Sequence, residues 1–140
     1  KEWLDDLADV KDPQTLFMCR EDLLREDAID VIRPSIVSNG ITQIRKMAAL
    51  AETYYVAVAP YHDGGPIATA AALQLAASLP NFFLQQIPLP EADRDRRMRA
   101  ELCSGWTETV RDGYAELPSG PGLGISVSEA ALEKYQERAR

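Results

Sequence analysis

The 140-residue sequence has little cysteine, a single histidine and no excess of basic residues. Its two cysteines, Cys19 and Cys103, are too few for a disulfide framework. We therefore expect reduced thiols, although one bridge between them is an open alternative. Fifteen Lys and Arg against 22 Asp and Glu leave a formal net charge of −7. Because a phosphate backbone requires a basic surface, this balance argues against nucleic acid and anionic membranes as partners.

The sequence also lacks an apolar run long enough to span a bilayer. The best candidate extends from Pro66 to Phe83 but contains Gln74 and Pro80, whereas a spanning helix needs about 20 predominantly apolar residues. No secretion signal is present, and together with the few cysteines this predicts a cytoplasmic protein. The first residue is not an initiator Met, so we expect the chain to begin inside a longer polypeptide.

The middle of the chain alternates between short apolar runs and helical patterns. With 46% hydrophobic and 26% charged residues, the composition is that of a globular protein. Apolar, β-branched or aromatic runs at 29–32, 56–59 and 82–87 predict strands, and helical spacing predicts helices over 41–51 and 67–78. Asn39-Gly40 is expected to break the chain before the first of these helices. Before the second, Asp63 is a candidate cap and Pro66 suits the first helical position.

Strands without polar alternation are expected to be buried on both faces, and their alternation with helices predicts parallel βαβ units. Two architectures accept such units, the open doubly wound sheet and the eight-fold β/α barrel. A barrel needs about 250 residues, so under that interpretation the chain supplies three or four units of one. An open sheet could be complete at this length, and periodicity leaves both alternatives open.

The character of the sequence changes towards its C-terminus. We divide the chain into residues 1–97, which hold the strand and helix units, and residues 98–140, which hold a charged connector, a turn-rich tail and a closing helix. Charges of both signs crowd residues 91–101 and predict a solvated helix face or polar connector. A short strand is expected within 110–117, and Ser128 is expected to start the closing helix.

Three strings carry a family resemblance: AIDVIRPSIVSNGITQIRKMAALAE, VAVAPYHDGGPIATAAALQLAASLPNFFLQQ and DGYAELPSGPGLGISVSEAALEKY. They resemble the C-terminal part of the mandelate racemase and sugar-acid dehydratase branch of the enolase superfamily. The resemblance implies an α/β fold, the C-terminal portion of a (β/α) TIM-type barrel with parallel strands from about strand five to strand eight. It also implies a C-terminal tail that returns to the capping domain.

The resemblance implies a Mg²⁺ ion held by carboxylates at the ends of barrel strands three, four and five, the first two lying upstream of Lys1. The strand-five position falls on Gln14, with Glu21 as a rival placement inside the following helical pattern. A neutral amide is a poor ligand for a hard cation. We therefore take Gln14 as a lost ligand position and expect this chain alone not to bind Mg²⁺.

The resemblance also implies four candidate catalytic positions. Ser35 falls where the family carries an Asp after strand six, and Tyr61 falls where it carries the partner His after strand seven. Gln86 takes the place of the Glu after strand eight. His62, one residue beyond the base position, is either a displaced base or a structural loop histidine. Tyr61 is either a phenolate base or an aromatic plug, and Ser35 and Gln86 either bond substrate or fill space.

Two function classes follow from these positions. The family resemblance implies a Mg²⁺-dependent sugar-acid dehydratase or racemase, which abstracts a proton next to a carboxylate. Because the acid–base positions are substituted, we expect no turnover by that mechanism. The alternative to an enzyme is a non-catalytic binding or structural descendant of the family, or an inactive fragment. The expected partners are a small hydroxy-carboxylate or sugar acid, and the remainder of the same barrel or further copies of the chain, because a partial barrel leaves unpaired strand edges.

Overall fold

The computed structural model describes residues 23–136 of the chain. The strand-five segment with Gln14, its rival Glu21, and Cys19 lie outside the described residues, so their predicted roles stay predictions. Within the described range Cys103 is a buried free thiol. No helix in this part of the chain is both long enough and apolar enough to cross a membrane.

Parallel strands and helices alternate in the first half, as predicted. The order is β1 (Val31–Ile32), α1 (Ile36–Thr53), β2 (Ala57–Val58) and α2 (Pro66–Ala76). β1 pairs with β2 in parallel, with Val31 opposite Ala57. The third predicted strand is present as an extended segment, residues 81–86, that follows β2 in parallel through a single bridge at Phe82. Two parallel strands and this bridged segment, joined by helices, form consecutive βαβ units. We call residues 31–86 the barrel portion, after the architecture that the resemblance implies.

The core lies between these strands and the two helices. Val58 of β2 is fully buried, as are Ile44 and Ala51 of α1. Leu75 of α2 belongs to the same apolar cluster. Burial of the middle strand therefore confirms the prediction made from its unbroken apolar sequence. The same prediction is wrong for the other two runs, because Val31 of β1 and Phe83 of the outer segment are exposed.

Of two local predictions about helix starts, the first is confirmed with an addition and the second is wrong. A first turn of α1 begins at Ile36, before the predicted range, because the Ser35 hydroxyl accepts a hydrogen bond from the Ser38 amide at 3.4 Å and caps it. Gly40 has non-helical backbone angles, φ +70° and ψ 168°, and kinks α1, so the predicted break at Asn39-Gly40 is present and the predicted helix over 41–51 follows it. The predicted Asp63 cap is wrong, since Gly65 is the N-cap of α2 and makes no side-chain cap, while Pro66 does occupy the first turn.

The second half folds into small antiparallel pairs and two helices. α3 (Asp93–Leu102) leads into β3 (Cys103–Ser104). The predicted short strand is a hairpin of β4 (Val110–Arg111) and β5 (Tyr114–Ala115). β6 (Ser126–Val127) then pairs with β3.

The closing helix α4 (Glu129–Tyr135) confirms the prediction made from Ser128, whose hydroxyl accepts from the Ala131 amide at 3.2 Å. The tail returns to the barrel portion. Gln74 of α2 donates from Nε2 to the Pro118 carbonyl at 2.7 Å.

Candidate functional site at the carboxyl ends of the strands

The structure brings three of the four predicted site residues to one edge of the sheet. Ser35 and Tyr61 face each other in a parallel bridge. The Tyr61 amide donates to the Pro34 carbonyl at 3.1 Å, and the Ile36 amide donates to the Tyr61 carbonyl at 2.9 Å. The Gln86 amide donates to the Pro60 carbonyl at 3.1 Å. Since carboxyl ends of parallel strands carry the sites of β/α barrels, these neighbours define the candidate site.

A one-residue offset places Gln86 beside Tyr61. The Val58 carbonyl accepts from the Phe83 amide, a separation of 83 − 58 = 25, whereas the Pro60 carbonyl accepts from Gln86, a separation of 86 − 60 = 26. The outer extended segment therefore contains one extra residue relative to β2 and the residues after it. A β-bulge has the same extra residue, and it changes the direction of the side chains that follow.

Arg33 completes the site, and sequence reasoning missed it. Its Nη2 donates to Gln86 Oε1. Its guanidinium carbon lies 5.8 Å from the centroid of the Tyr61 ring, within cation–π range. The available signal was its position two residues before Ser35, because alternate residues of a strand share a face. We call Arg33, Tyr61 and Gln86 the strand-end cluster.

Ser35 contributes differently from the strand-end cluster. Only 8% of the residue is exposed, and its hydroxyl is engaged in capping α1. Its observed contact is therefore structural, although its position beside Tyr61 is the one that the resemblance implies.

His62 is buried although the preceding residue is open to solvent. Its exposure is 1%, against 36% for Tyr61, as expected when successive residues point to opposite sides. Neither ring nitrogen has a hydrogen-bond partner. Burial has the largest effect and lowers the pKa of His62, and the positive charge of Arg99 lowers it further. The negative charges of Glu108 and Asp63, and a backbone contact with Gly64 too loose to count as a regular hydrogen bond, oppose this lowering only in part. The imidazole is therefore neutral near pH 7.

A charged pair from the tail lies beside the loop that carries His62. Arg99 Nη1 donates to both carboxylate oxygens of Glu108, at 2.9 and 2.7 Å, and Arg99 Nη2 donates to the Gly64 carbonyl at 2.8 Å. Thr69 Oγ1 of α2 donates to Glu108 as well. The side chains of Arg99 and Glu108 are only 11% and 12% exposed. We call Arg99 and Glu108, with their contacts to Gly64 and Thr69, the tail clasp. Most of α3 is exposed, as predicted for a charged segment, but Arg99 is not.

The side chains at these strand ends do not themselves form a magnesium site; the resemblance places the family's metal carboxylates on strands three to five, outside the described residues. Within residues 23–136, no three His, Cys, Asp or Glu side chains are grouped as metal ligands. The strand-end cluster presents a guanidinium, a phenol and an amide, whereas Mg²⁺ prefers carboxylate oxygens and water. A positively charged guanidinium at the centre of the cluster further opposes a cation there.

Comparison with known proteins identifies the family. The model of the enolase C-terminal domain-like family matches residues 15–131, which is most of the chain. The chain belongs to this family. Membership agrees with the observed strand order and with the barrel portion predicted from the sequence.

Several of the curated proteins that the chain resembles are named as sugar-acid dehydratases. Over 121 residues the chain is 31% identical to D-xylonate dehydratase of Haloferax volcanii, covering 81% of the chain and 26% of that enzyme. Over 124 residues it is 32% identical to a D-galactonate dehydratase family member of Streptomyces bingchenggensis, covering 86% and 28%. The chain thus spans less than a third of the length of these relatives.

Solved structures of the superfamily show the same fold. A member from Salmonella Typhimurium superimposes with a TM-score of 0.68 at 28% identity, covering 81% of this chain and 28% of that one. An enolase of the mandelate racemase subgroup from Agrobacterium tumefaciens gives 0.69 at 26% identity, covering 84% and 30%. The chain corresponds to the C-terminal part of the barrel in this superfamily.

Proposed function

We propose that the chain binds a small hydroxy- or polyhydroxy-carboxylate at its strand ends without exchanging a proton with it. The observation that carries the proposal is the juxtaposition of Ser35, Tyr61 and Gln86 at the carboxyl ends of adjacent parallel strands. The family resemblance assigns the proton-handling Asp, His and Glu to these three positions. The curated relatives are named for sugar acids, and this supports the ligand class.

The chemistry of the three residues supports binding without proton transfer. The Ser35 hydroxyl has no charge and caps α1. Gln86 holds the Arg33 guanidinium through its amide oxygen, and an amide does not take up or release a proton. Tyr61 replaces the imidazole that the resemblance implies with a phenol ring, which is packed against Arg33. Since each acid–base group contributes about 10²–10⁴-fold to rate, the loss of three leaves little of the family's reaction.

Titration calorimetry with the 140-residue chain tests the proposal. D-gluconate, D-galactonate and D-xylonate are injected in turn, with the neutral polyol D-glucitol as the control ligand. We expect saturable binding of at least one acid, and no loss of the acid's C2 proton when the same mixture is followed by NMR in D₂O. Absence of binding by every acid would contradict the proposal, and so would exchange of the C2 proton.

Restoring the charged pair tests whether the two strand ends meet as described. The variant Ser35→Asp/Tyr61→His places a carboxylate opposite an imidazole across the parallel bridge, and Asp retains the capping of α1 because it is itself a good N-cap. We expect the carboxylate to raise the pKa of the introduced imidazole at position 61 relative to the single variant Tyr61→His. Equal pKa values in the two variants would show that the side chains at positions 35 and 61 do not meet.

A further inference from the structure

We propose that Arg33 recognises the carboxylate of the bound acid and supplies the positive charge at this site without a metal ion. This inference rests on the proposed function of acid binding and names the residue and the interaction responsible. It also goes beyond the family resemblance, which assigns no role to position 33.

The contacts of Arg33 hold its guanidinium at the strand ends. The Gln86 amide oxygen accepts from Nη2, and the Tyr61 ring lies 5.8 Å from the guanidinium carbon. One contact comes from the loop that follows β2 and the other from the outer extended segment, so the exposed guanidinium is contacted from two sides. A guanidinium has five N–H donors in a planar fork that matches a carboxylate. With one nitrogen engaged by Gln86, donors are left for a ligand.

The charge of Arg33 is not compensated by a protein carboxylate in the described part of the chain. The ion pairs there join Arg96 to Asp93, Arg99 to Glu108 and Lys134 to Glu101. Arg33 instead has two neutral neighbours, Gln86 and Tyr61. In a protein of net charge −7, a positioned cation without an acidic partner is suited to an anionic ligand.

The proposal requires acid binding to be independent of magnesium. A carboxylate that met a metal ion would lose affinity in EDTA, whereas one held by a guanidinium would not. It also requires that the chain recognise the carboxylate itself, so that a neutral polyol of the same length does not bind. A merely structural Arg33, packed on Tyr61 to hold the outer segment, predicts neither behaviour.

Titration calorimetry of D-gluconate, D-galactonate and D-xylonate into the full 140-residue chain, in EDTA and then in Mg²⁺, tests the inference. We expect equal affinities in both buffers. Arg33→Gln should weaken binding by about tenfold or more, because a hydrogen bond to a charged group is lost. Arg33→Lys should retain an intermediate affinity, since it keeps the charge but not the fork. Arg45→Gln, at an exposed position of α1, is the matched control and should bind as the unchanged chain does.

A second variant keeps Arg33 and supplies a competing anion. Gln86→Glu places a fixed carboxylate against the guanidinium, and we expect it to weaken acid binding without lowering the melting temperature. Acid binding that requires Mg²⁺, or that is unchanged in Arg33→Gln, would overturn the inference while leaving the proposed binding function in place. Equal binding of D-glucitol would also overturn it. If none of the three acids binds the unchanged chain, the proposed function fails, and the inference with it.

Discussion

Replacing Arg99 by methionine is expected to destabilise the attachment of the tail to the barrel portion. Arg99 makes two hydrogen bonds to the Glu108 carboxylate and one to the Gly64 carbonyl. Methionine keeps the apolar stem but removes all three donors. It leaves a carboxylate that is only 12% exposed with the Thr69 hydroxyl as its observed side-chain partner.

The magnitude follows from the burial of the pair. Removing one member of a buried ion pair costs about 3–5 kcal/mol, because the other charge is left uncompensated. Since Arg99 and Glu108 keep a small exposed fraction, we expect about 2–4 kcal/mol. With a urea m-value of about 2 kcal/mol/M, the midpoint should fall by about 1–2 M.

Arg96→Met is the matched control in the same helix. Arg96 pairs with Asp93 at 2.7 Å, but the two side chains are 56% and 75% exposed, and such surface pairs are worth about 0–1 kcal/mol. Urea unfolding is followed by the fluorescence of Trp106, whose Nε1 donates to the Glu116 carbonyl in the tail. Trp3→Phe in every variant removes the other tryptophan from the signal. Equal midpoints for Arg99→Met and Arg96→Met would refute the structural role of the tail clasp.

Three further predictions concern pH, backbone and surface. The folded-state pKa of His62 lies below its ordinary value of 6.5. Stability should therefore be retained above about pH 6.5 and decrease below it, because there the unfolded chain binds a proton that the folded chain does not. In His62→Leu the urea midpoint should decrease less as the pH is lowered. Gly113→Ala should cost about 1–2 kcal/mol in the same assay, because its φ is positive although a Cβ there has open space. Gly124→Ala should cost clearly more, because its Cβ would also meet Pro118 at 2.5 Å; equal costs would contradict the close approach. Phe83 is 62% exposed on the outer segment, so the chain should self-associate in sedimentation and Phe83→Lys should reduce this; a monodisperse monomer that melts cooperatively would contradict the prediction.

The order of strands and helices could be predicted because its signals are local. Pro66 marks the start of α2, and Ser128 marks the start of α4. Both signals lie within one helical turn of the structure that they specify. The unbroken apolar run at 56–59 predicted a buried parallel strand for the same reason, since burial on both faces requires consecutive apolar residues. The runs at 29–32 and 82–87 have exposed residues, Val31 and Phe83 among them, so their burial was predicted wrongly.

The additional first turn of α1 and the wrongly predicted cap of α2 both involve a choice between neighbouring caps. Ser35, interpreted as a site residue, caps a turn that precedes the predicted break at Gly40. Asp63 does not cap α2, because the chain enters that helix through Gly65 in extended conformation. Several residues near each start have capping chemistry, and only the tertiary path of the chain selects among them.

Long-range contacts at the site could not be obtained from the sequence. Arg33 and Gln86 are 53 residues apart, and their meeting depends on strand register, including the one-residue offset before Gln86. The contacts of Glu108 with Thr69 and of Arg99 with the Gly64 carbonyl span 39 and 35 residues and depend on the return of the tail to the start of α2. The mixed charges of residues 91–101 predict a solvated surface, but they do not indicate which charged residue, here Arg99, is buried.

Hydrogen–deuterium exchange at C2 of the bound acid tests the central claim most directly. The unchanged chain is incubated in D₂O with Mg²⁺ and with D-gluconate, D-galactonate or D-xylonate in turn, and the C2 proton is followed by NMR. Our account predicts that an acid shown to bind by calorimetry keeps its C2 proton, because Ser35, Tyr61 and Gln86 bring no base to the strand ends. Loss of the C2 proton at a rate that depends on the concentration of the chain would contradict it.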